Sequence, residues 1–378
     1  MSTLKTTPRA DGFHMPAEFE HHAGCWMTWP ERPDVWRENA RPAQRDFAAV
    51  AMAIARFEPV TVCASREQCE TARANLPSKI RVVEMSSNDA WTRDYAPTFV
   101  VDDFNHVRGV DWTFNGYGGP EKGAYWPCDL DNQIAAKILE LEKIDRYKCD
   151  MVLEGGSIHV DGQGTLITTE ECLLNPNRNP NLSRVDIENN LKEYLGVEKI
   201  IWLKMGVHGD EDNSGHVDDL CCFVRPGVVV LTWTDDTDDP QYDRSRDAFE
   251  RLSRSHDACG RQFKIYKLYQ PEPIYFSANE VCGIIVTPNA VQRQSGQRLG
   301  ASYVNFYIAN GGVIVPGFGD PRDRDAVATL SSLFPDREVV QLQTHEILLG
   351  IGNIHCIVMQ QPLGQIGLRD ITEGIKNH

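Results

Sequence analysis

Five short segments of this 378-residue chain read alike when stacked, and that repetition narrows the available folds more than any other feature. They are residues 88–94, 154–160, 214–220, 301–306 and 352–357. Each places polar residues where a strand is expected to begin and then runs into β-rich sequence. Two are followed by a turn and a second β-run: Arg225-Pro226-Gly227 precedes Val228–Leu231, and Asn310-Gly311-Gly312 precedes Val313–Val315. Apolar residues at helical spacing predict helices over 41–56, 131–142, 184–195, 243–254 and 323–334, with Ser183 as an N-cap. Each leads to a further β-run, at 59–63, 146–152, 198–203, 263–268 and 338–342. The unit is therefore strand, strand, helix, strand, with polar starts recurring every ~50–90 residues. Repeats set around an axis bring those starts to one central site and make a single domain over 1–378. An ordinary α/β domain with look-alike strands is the competing architecture. The ends, 1–11 and 363–378, are expected to be loose.

The formal net charge of −16 disfavours nucleic acid or an anionic membrane as partner and suits cationic ligands. The eleven cysteines show no Cys-x-x-Cys spacing, which argues against a disulfide framework or zinc ribbon. Reduced thiols, no apolar leader at Met1–Pro8 and no apolar run of ~18 residues point to a soluble cytoplasmic protein.

Read as one cleft, the five segments contribute Asp94, Glu154, His216, Asp218, Asn305 and Cys356, with Arg93 the only cation besides the imidazole. A guanidinium is planar, permanently charged and forked, and carboxylates match it two donors at a time. In that setting Cys356 attacks the guanidinium carbon, His216 protonates the departing ammonia, and an amidino-thioether remains on the sulfur. His216 then activates water, which releases a ureido product and the thiol. Carboxylates around the thiol raise its pKa, so the substrate's own charge is expected to promote the thiolate.

Each residue also has a plainer reading. Cys356 suits a buried structural thiol, His216 and Asp218 a charge-stabilised strand pair, Asp94 a surface ion pair with Arg93, and Glu154 a solvated turn. His159, His208 and His355 are structural or supporting candidates. The acid runs Asp210–Asp212 and Asp235–Asp239 read as solvated loops, and Asp212 also as a handle for a cationic substrate tail.

Together, residues 29–33, 88–94, 154–162, 215–218, 301–311 and 352–356 resemble the agmatine deiminase family, over about 12–362. The resemblance implies the pentein fold, a five-bladed pseudo-symmetric α/β propeller of ββαβ units. It implies hydrolysis of agmatine to N-carbamoylputrescine and ammonia, within putrescine and polyamine metabolism, by a homodimer without metal or organic cofactor. By motif, Cys356 is the nucleophile and His216 the general acid/base. Asp94 and Asp218 grip the guanidinium, Glu154 lies beside the reacting nitrogens or the histidine, Trp91 lines the substrate channel, and Asn305 positions. Two departures bear on specificity: Ile351 stands where the family carries a glycine before Asn-Ile-His-Cys, and Ala96 replaces another glycine.

Three rivals remain at this stage. A deiminase of arginine or peptidyl-arginine needs a cation for the substrate carboxylate, and Arg93 and Arg178 are the candidates. A metal-dependent amidohydrolase would use the same residue types, but no His-x-x-x-His pair occurs. A non-catalytic guanidine-binding or polyamine-binding propeller would have little need for thiol, histidine and carboxylates together.

Overall fold

Helix 184–195 illustrates how local sequence sets the elements of the repeat. Ser183 caps it through the Asp186 backbone N–H, and Asp186 returns a bond to the Ser183 N–H. Gly196 ends it in the left-handed region at φ 65°, and Ile187, Leu191 and Leu195 bury one stripe. That stripe packs on the sheet that follows, together with Leu166 and Tyr147.

The computed structural model describes residues 1–365. Its strands form five small mixed sheets. In the third blade, Cys221–Arg225 runs antiparallel to Val228–Trp233, helix Gln241–Arg254 crosses over, and Lys264–Tyr269 adds in parallel. The first blade repeats this with Thr98–Val101, Val107–Thr113, helix Ile134–Leu141 and Arg146–Val152. The second uses Ile158–Val160, Thr165–Thr169, helix Arg184–Leu195 and Lys199–Leu203. The fourth uses Tyr307–Ile308, Gly312–Gly317, helix Asp323–Leu333 and Glu338–Gln343.

The fifth blade closes the ring. Met359–Pro362 pairs antiparallel with His22–Thr28 from the other end of the chain, and helix Arg41–Ile54 leads to the parallel strands Val60–Ala64 and Arg81–Glu84. Hydrogen bonds between distant segments therefore seal the last blade to the first residues, which leaves no open edge at that seam. The result is the α/β propeller of ββαβ units that the repeat predicts. No helix among the described residues is long and apolar enough to cross a membrane.

Three expectations change. Four of the five polar segments form a helical turn before their strand: Thr92–Tyr95, Gly155–Ser157, Val217–Asp219 and His355–Ile357. A strand would send alternate side chains to opposite faces, whereas a turn aims neighbours at the same centre. The N-terminal residues are ordered by pairing, since Thr3–Leu4 runs parallel to Arg146–Tyr147 and Asp11 accepts from the Tyr147 hydroxyl at 2.8 Å. At the other end, Leu363 N–H bonds the His21 carbonyl and Gln365 bridges His106, while the rest of the expected tail, 366–378, lies outside the described residues.

Candidate active site

The five polar segments meet at the propeller centre, where contacts link one blade to the next. Gly156 N–H donates to Asp94 Oδ1 at 2.9 Å, joining the first and second turns. His216 Nδ1 lies 3.8 Å from the same Asp94 oxygen, bringing in the third. Thr232 and Ser302 share a hydroxyl bond of 2.8 Å between the third and fourth blades. The amide of Asn305 faces Cys356 Sγ at 3.1 Å and accepts from His355 N–H at 2.8 Å. Arg93 Nε returns to the His355 carbonyl at 3.3 Å.

Cys356, His216, Asp94, Asp218, Glu154 and Asn305 all converge here and are all buried. The Cys356 thiol donates toward Asp218 Oδ2 across 3.6 Å. Burial pushes that thiol well above its ordinary pKa, and Asp218, Asp219 and Asp94 push it further. The proton therefore stays on sulfur until a cation arrives. Neither His216 ring nitrogen has a hydrogen-bond partner, nor does Asp218 Oδ1. Unpaired buried polar atoms are costly, and their concentration here marks the place where a polar ligand would bind.

Gly156 locates that place. A Cβ on it would come 2.7 Å from His216 Nδ1 and 2.9 Å from both Asp218 Oδ2 and Asp94 Oδ1. Three polar atoms from two blades thus face one small space, which only glycine leaves open. Burial lifts the Asp94 carboxyl to about 6, with Asp218 adding to the rise, against His216, the Tyr117 hydroxyl and Gly156 N–H. Burial opposes ionisation of Asp218 too, but the bond and charge of His355, aided by His216 and Arg93, hold its carboxyl below the usual range. Asp219 and Asp210 are pushed well up by burial and by neighbouring carboxylates.

Glu154 sits beside His216, with donor atoms of Glu154, Cys172 and His216 all within 4.8 Å of one another. Its charge is matched by Arg178, whose Nε donates to Glu154 Oε1 at 2.6 Å. Arg93, the other arginine expected near the substrate, turns away: it donates to Gln360 Oε1 at 2.6 Å and lies 3.6 Å from Glu18.

A pocket beside the centre is lined by Trp91, Tyr117, Asp212, Asn213, Arg293 and Ile351. Trp91 is braced by Trp36, with ring centroids 5.1 Å apart, and both indole N–H groups donate to Asp89. Gly352 permits this packing, because a Cβ there would come 2.4 Å from the Trp91 ring. Asp212 is paired with Arg293 Nη2 at 2.6 Å, so it faces a guanidinium of the chain itself.

The acid runs are solvated as expected at Glu211 and over 235–238, but Asp210 and Asp239 depart from that. Asp210 is buried and fixes the loop before His216 by accepting from the His216 backbone N–H at 3.0 Å. Asp239 is also buried, gripped by both terminal nitrogens of Arg298 at 2.8 Å. Asp239 takes its partner from a distant segment, which a local run of acids cannot reveal, whereas Asp210 is held by neighbours in its own loop.

Sequence reasoning also missed Tyr117, whose hydroxyl donates to Asp94 Oδ2 at 2.6 Å, and Glu18, which accepts from His355 Nε2 at 2.7 Å. Tyr117 carried one faint signal, the glycines Gly116, Gly118 and Gly119 around it, which let the loop turn with Tyr117 itself at φ 68°. Glu18 carried none.

Three donor clusters among the described residues could in principle hold a metal: Asp218, Asp219 and Cys356; Glu18, His159 and His355; and Glu154, Cys172 and His216. Both nitrogens of His355 are engaged by carboxylates, and a metal there would have to displace one of those pairs. In the first cluster, burial pushes both Asp219 and Cys356 well up, which works against the deprotonated form that a metal needs.

The family described as Porphyromonas-type peptidyl-arginine deiminase matches residues 14–362. The agmatine deiminase of Pseudomonas aeruginosa strain LESB58 is 58% identical over 364 residues, covering 96% of this chain and 99% of its own. That of Medicago truncatula is 56% identical over 372 residues, covering 96% and 100%. Among solved structures, the agmatine deiminase of Enterococcus faecalis catalysing its reaction superposes with a TM-score of 0.93 at 46% identity, over 96% of this chain and 99% of that one.

Proposed function

The chain belongs to the Porphyromonas-type peptidyl-arginine deiminase family, and we propose that its centre hydrolyses agmatine to N-carbamoylputrescine and ammonia through a covalent intermediate on Cys356. The observation that carries this reading is the convergence of Asp94, Asp218 and His216 on one space beside the Cys356 thiol. Asp94 and Asp218 accept guanidinium N–H bonds, and the arriving cation offsets the carboxylates that hold the proton on sulfur. The thiol proton passes to His216 as the sulfur adds to the guanidinium carbon. His216 gives a proton to one nitrogen of the tetrahedral adduct, the C–N bond breaks, and ammonia leaves an amidino-thioether. His216 then takes a proton from water as its oxygen adds to the same carbon. The C–S bond breaks, and the ureido product and thiol are released. Glu154 supports His216 or the reacting nitrogens from its ion pair with Arg178, and Asn305 holds the sulfur in line.

Trp91 lines the route for the substrate's alkyl chain and offers its ring face to a cation. Asp212, which lines the same pocket as Trp91, receives the distal ammonium while keeping Arg293 as its partner. Arg93, Arg178 and Arg293 are each paired with a carboxylate, so none stands ready for the carboxylate of arginine, which supports the decarboxylated substrate. A homodimer in the cytosol completes the reading, and sedimentation of the purified protein tests the oligomer.

The deciding assay offers the protein agmatine, arginine and an arginine-containing peptide, and measures ureido product and ammonia. Selective turnover of agmatine, lost in Cys356→Ala and indifferent to chelator, is the expected result. Preference for arginine or peptide would keep the chemistry and overturn the substrate, while binding of agmatine without turnover would leave a binding propeller.

A further inference from the structure

Beneath the Cys356 turn lies a buried charge cluster that the proposed chemistry does not itself use. His355 Nε2 meets Glu18 Oε2 at 2.7 Å, and its Nδ1 meets Asp218 Oδ2 at 2.8 Å. Carboxylates only accept, so a ring bonded to one at each nitrogen must carry two protons. Arg93 Nη2 lies 3.6 Å from the same Glu18 oxygen. The two carboxylates Glu18 and Asp218 are therefore matched by two cations, His355 and Arg93.

His159 completes the surroundings without adding charge. It accepts from Phe223 N–H at Nδ1, and its Nε2 faces Cys222 Sγ at 3.3 Å and Glu18 at 4.0 Å. Burial, with His355 and Arg93, depresses it to about 4 despite Glu18 and Asp218. For His355, burial and Arg93 oppose the proton, but Glu18 and Asp218 outweigh them and raise it. Glu18 comes from the segment ahead of the fifth blade and is fixed there by accepting from Ile308 N–H at 2.8 Å.

We propose that His355, held as an imidazolium between Glu18 and Asp218, is the positioning residue that keeps Asp218 ionised and fixed so that its carboxylate faces the substrate guanidinium. This deepens the functional reading above and rests on it for the identity of the substrate. The geometry has a direct logic. One Asp218 oxygen is occupied by His355 and neighbours the thiol, while the other has no partner in the protein. Glu18 thus acts on substrate binding through His355, without touching the substrate.

The test separates this from a merely structural role. Glu18→Gln retains an acceptor for His355 Nε2 and removes one charge. Asp218 contacts the guanidinium before and during the reaction, so weakening it should raise KM more than it lowers kcat. The expected outcome is KM for agmatine up about tenfold, with kcat changing less, and the acid limb of kcat/KM moved to higher pH. His355→Gln should move both further in the same direction. A structural staple would instead lower Tm and leave the pH profile and KM in place, and that result would overturn the proposal. Nitrogen-15 spectra of histidine-labelled wild-type protein give a readout independent of turnover. Two protonated nitrogens on His355 at pH 7.5 support the imidazolium, and a neutral tautomer there sinks it. Failure to turn over agmatine with an imidazolium present would count against the substrate, not against the cluster.

Discussion

The backbone N–H of Gly156 donates to Asp94 Oδ1 across 2.9 Å, and a methyl group on Gly156 would press on that same oxygen and on His216 Nδ1. The contacts are with the ends of side chains, not with backbone, so Gly156→Ala should fold. It should nevertheless displace the groups that face the guanidinium. A fall in kcat/KM of about 10²-fold or more with a small change in Tm is expected, since misplacement by an ångström has costs of that order. Full activity in the alanine variant would mean that the space in front of Gly156 is not where the substrate binds.

Because burial and three carboxylates hold the proton on Cys356, the free enzyme should react slowly with iodoacetamide at pH 7.5 and faster only as pH rises beyond the usual thiol range. Cys259 and Cys282 are the exposed thiols, so the measurement belongs in a Cys259→Ser, Cys282→Ser background. A small guanidinium that occupies Asp94 and Asp218 without covering the sulfur should accelerate alkylation. Rapid alkylation at neutral pH without any cation would contradict substrate-assisted activation.

Asp94 sets an acid limit. Its carboxyl, lifted to about 6 mainly by burial, must be ionised to accept from a guanidinium, so kcat/KM should fall as pH drops below about 6. The stability sign runs the other way. A raised acid contributes most favourably while protonated, so this group costs the ligand-free fold stability as pH rises from 3.8 towards 6. A bound cation removes that cost. The Tm increase produced by N-carbamoylputrescine, which is neutral at its ureido end, should therefore vary less across this range than that produced by agmatine with Cys356→Ala protein. Equal pH dependence for both ligands would separate Asp94 from guanidinium binding.

Much of the site was legible because its chemistry sits in repeated local context. Cys356, His216, Asp218, Asp94 and Asn305 each occupy the polar turn before a strand, and stacking the repeats aligns them. Helix Arg184–Leu195 was readable to its ends because Ser183 and Gly196 punctuate it. Glu18 was invisible for the opposite reason: its role depends on contacts 337 residues away, with His355, and nothing near it in sequence records them. Asp210 was misread because a run of acids is ordinarily solvated, and at Asp212 only the fold brings in Arg293. Arg93 and Arg178 were candidate substrate ligands by type alone; their buried partners Glu18 and Glu154 decide otherwise.

Ile351, the departure from glycine ahead of the nucleophile, adopts φ 65°, a left-handed conformation rarely accepted by a β-branched residue. That conformation costs ~1–2 kcal/mol, which a glycine would recover. The side chain is buried, however, in a cluster with Phe276, Leu299, Leu348 and Leu349. Truncating a buried isoleucine costs ~2–5 kcal/mol, so burial outweighs strain. Ile351→Gly should therefore destabilise the fold by ~1–3 kcal/mol in chemical denaturation, the difference between those two effects. Ile351 also lines the pocket beside Trp91 and Asp212, and its carbonyl accepts from Asn213 Nδ2 at 3.4 Å. Cys356 is anchored separately through Asn305, so KM should move while kcat holds. A more stable glycine variant would show that strain dominates at this position, and a collapse of kcat would show that Ile351 helps place the thiol.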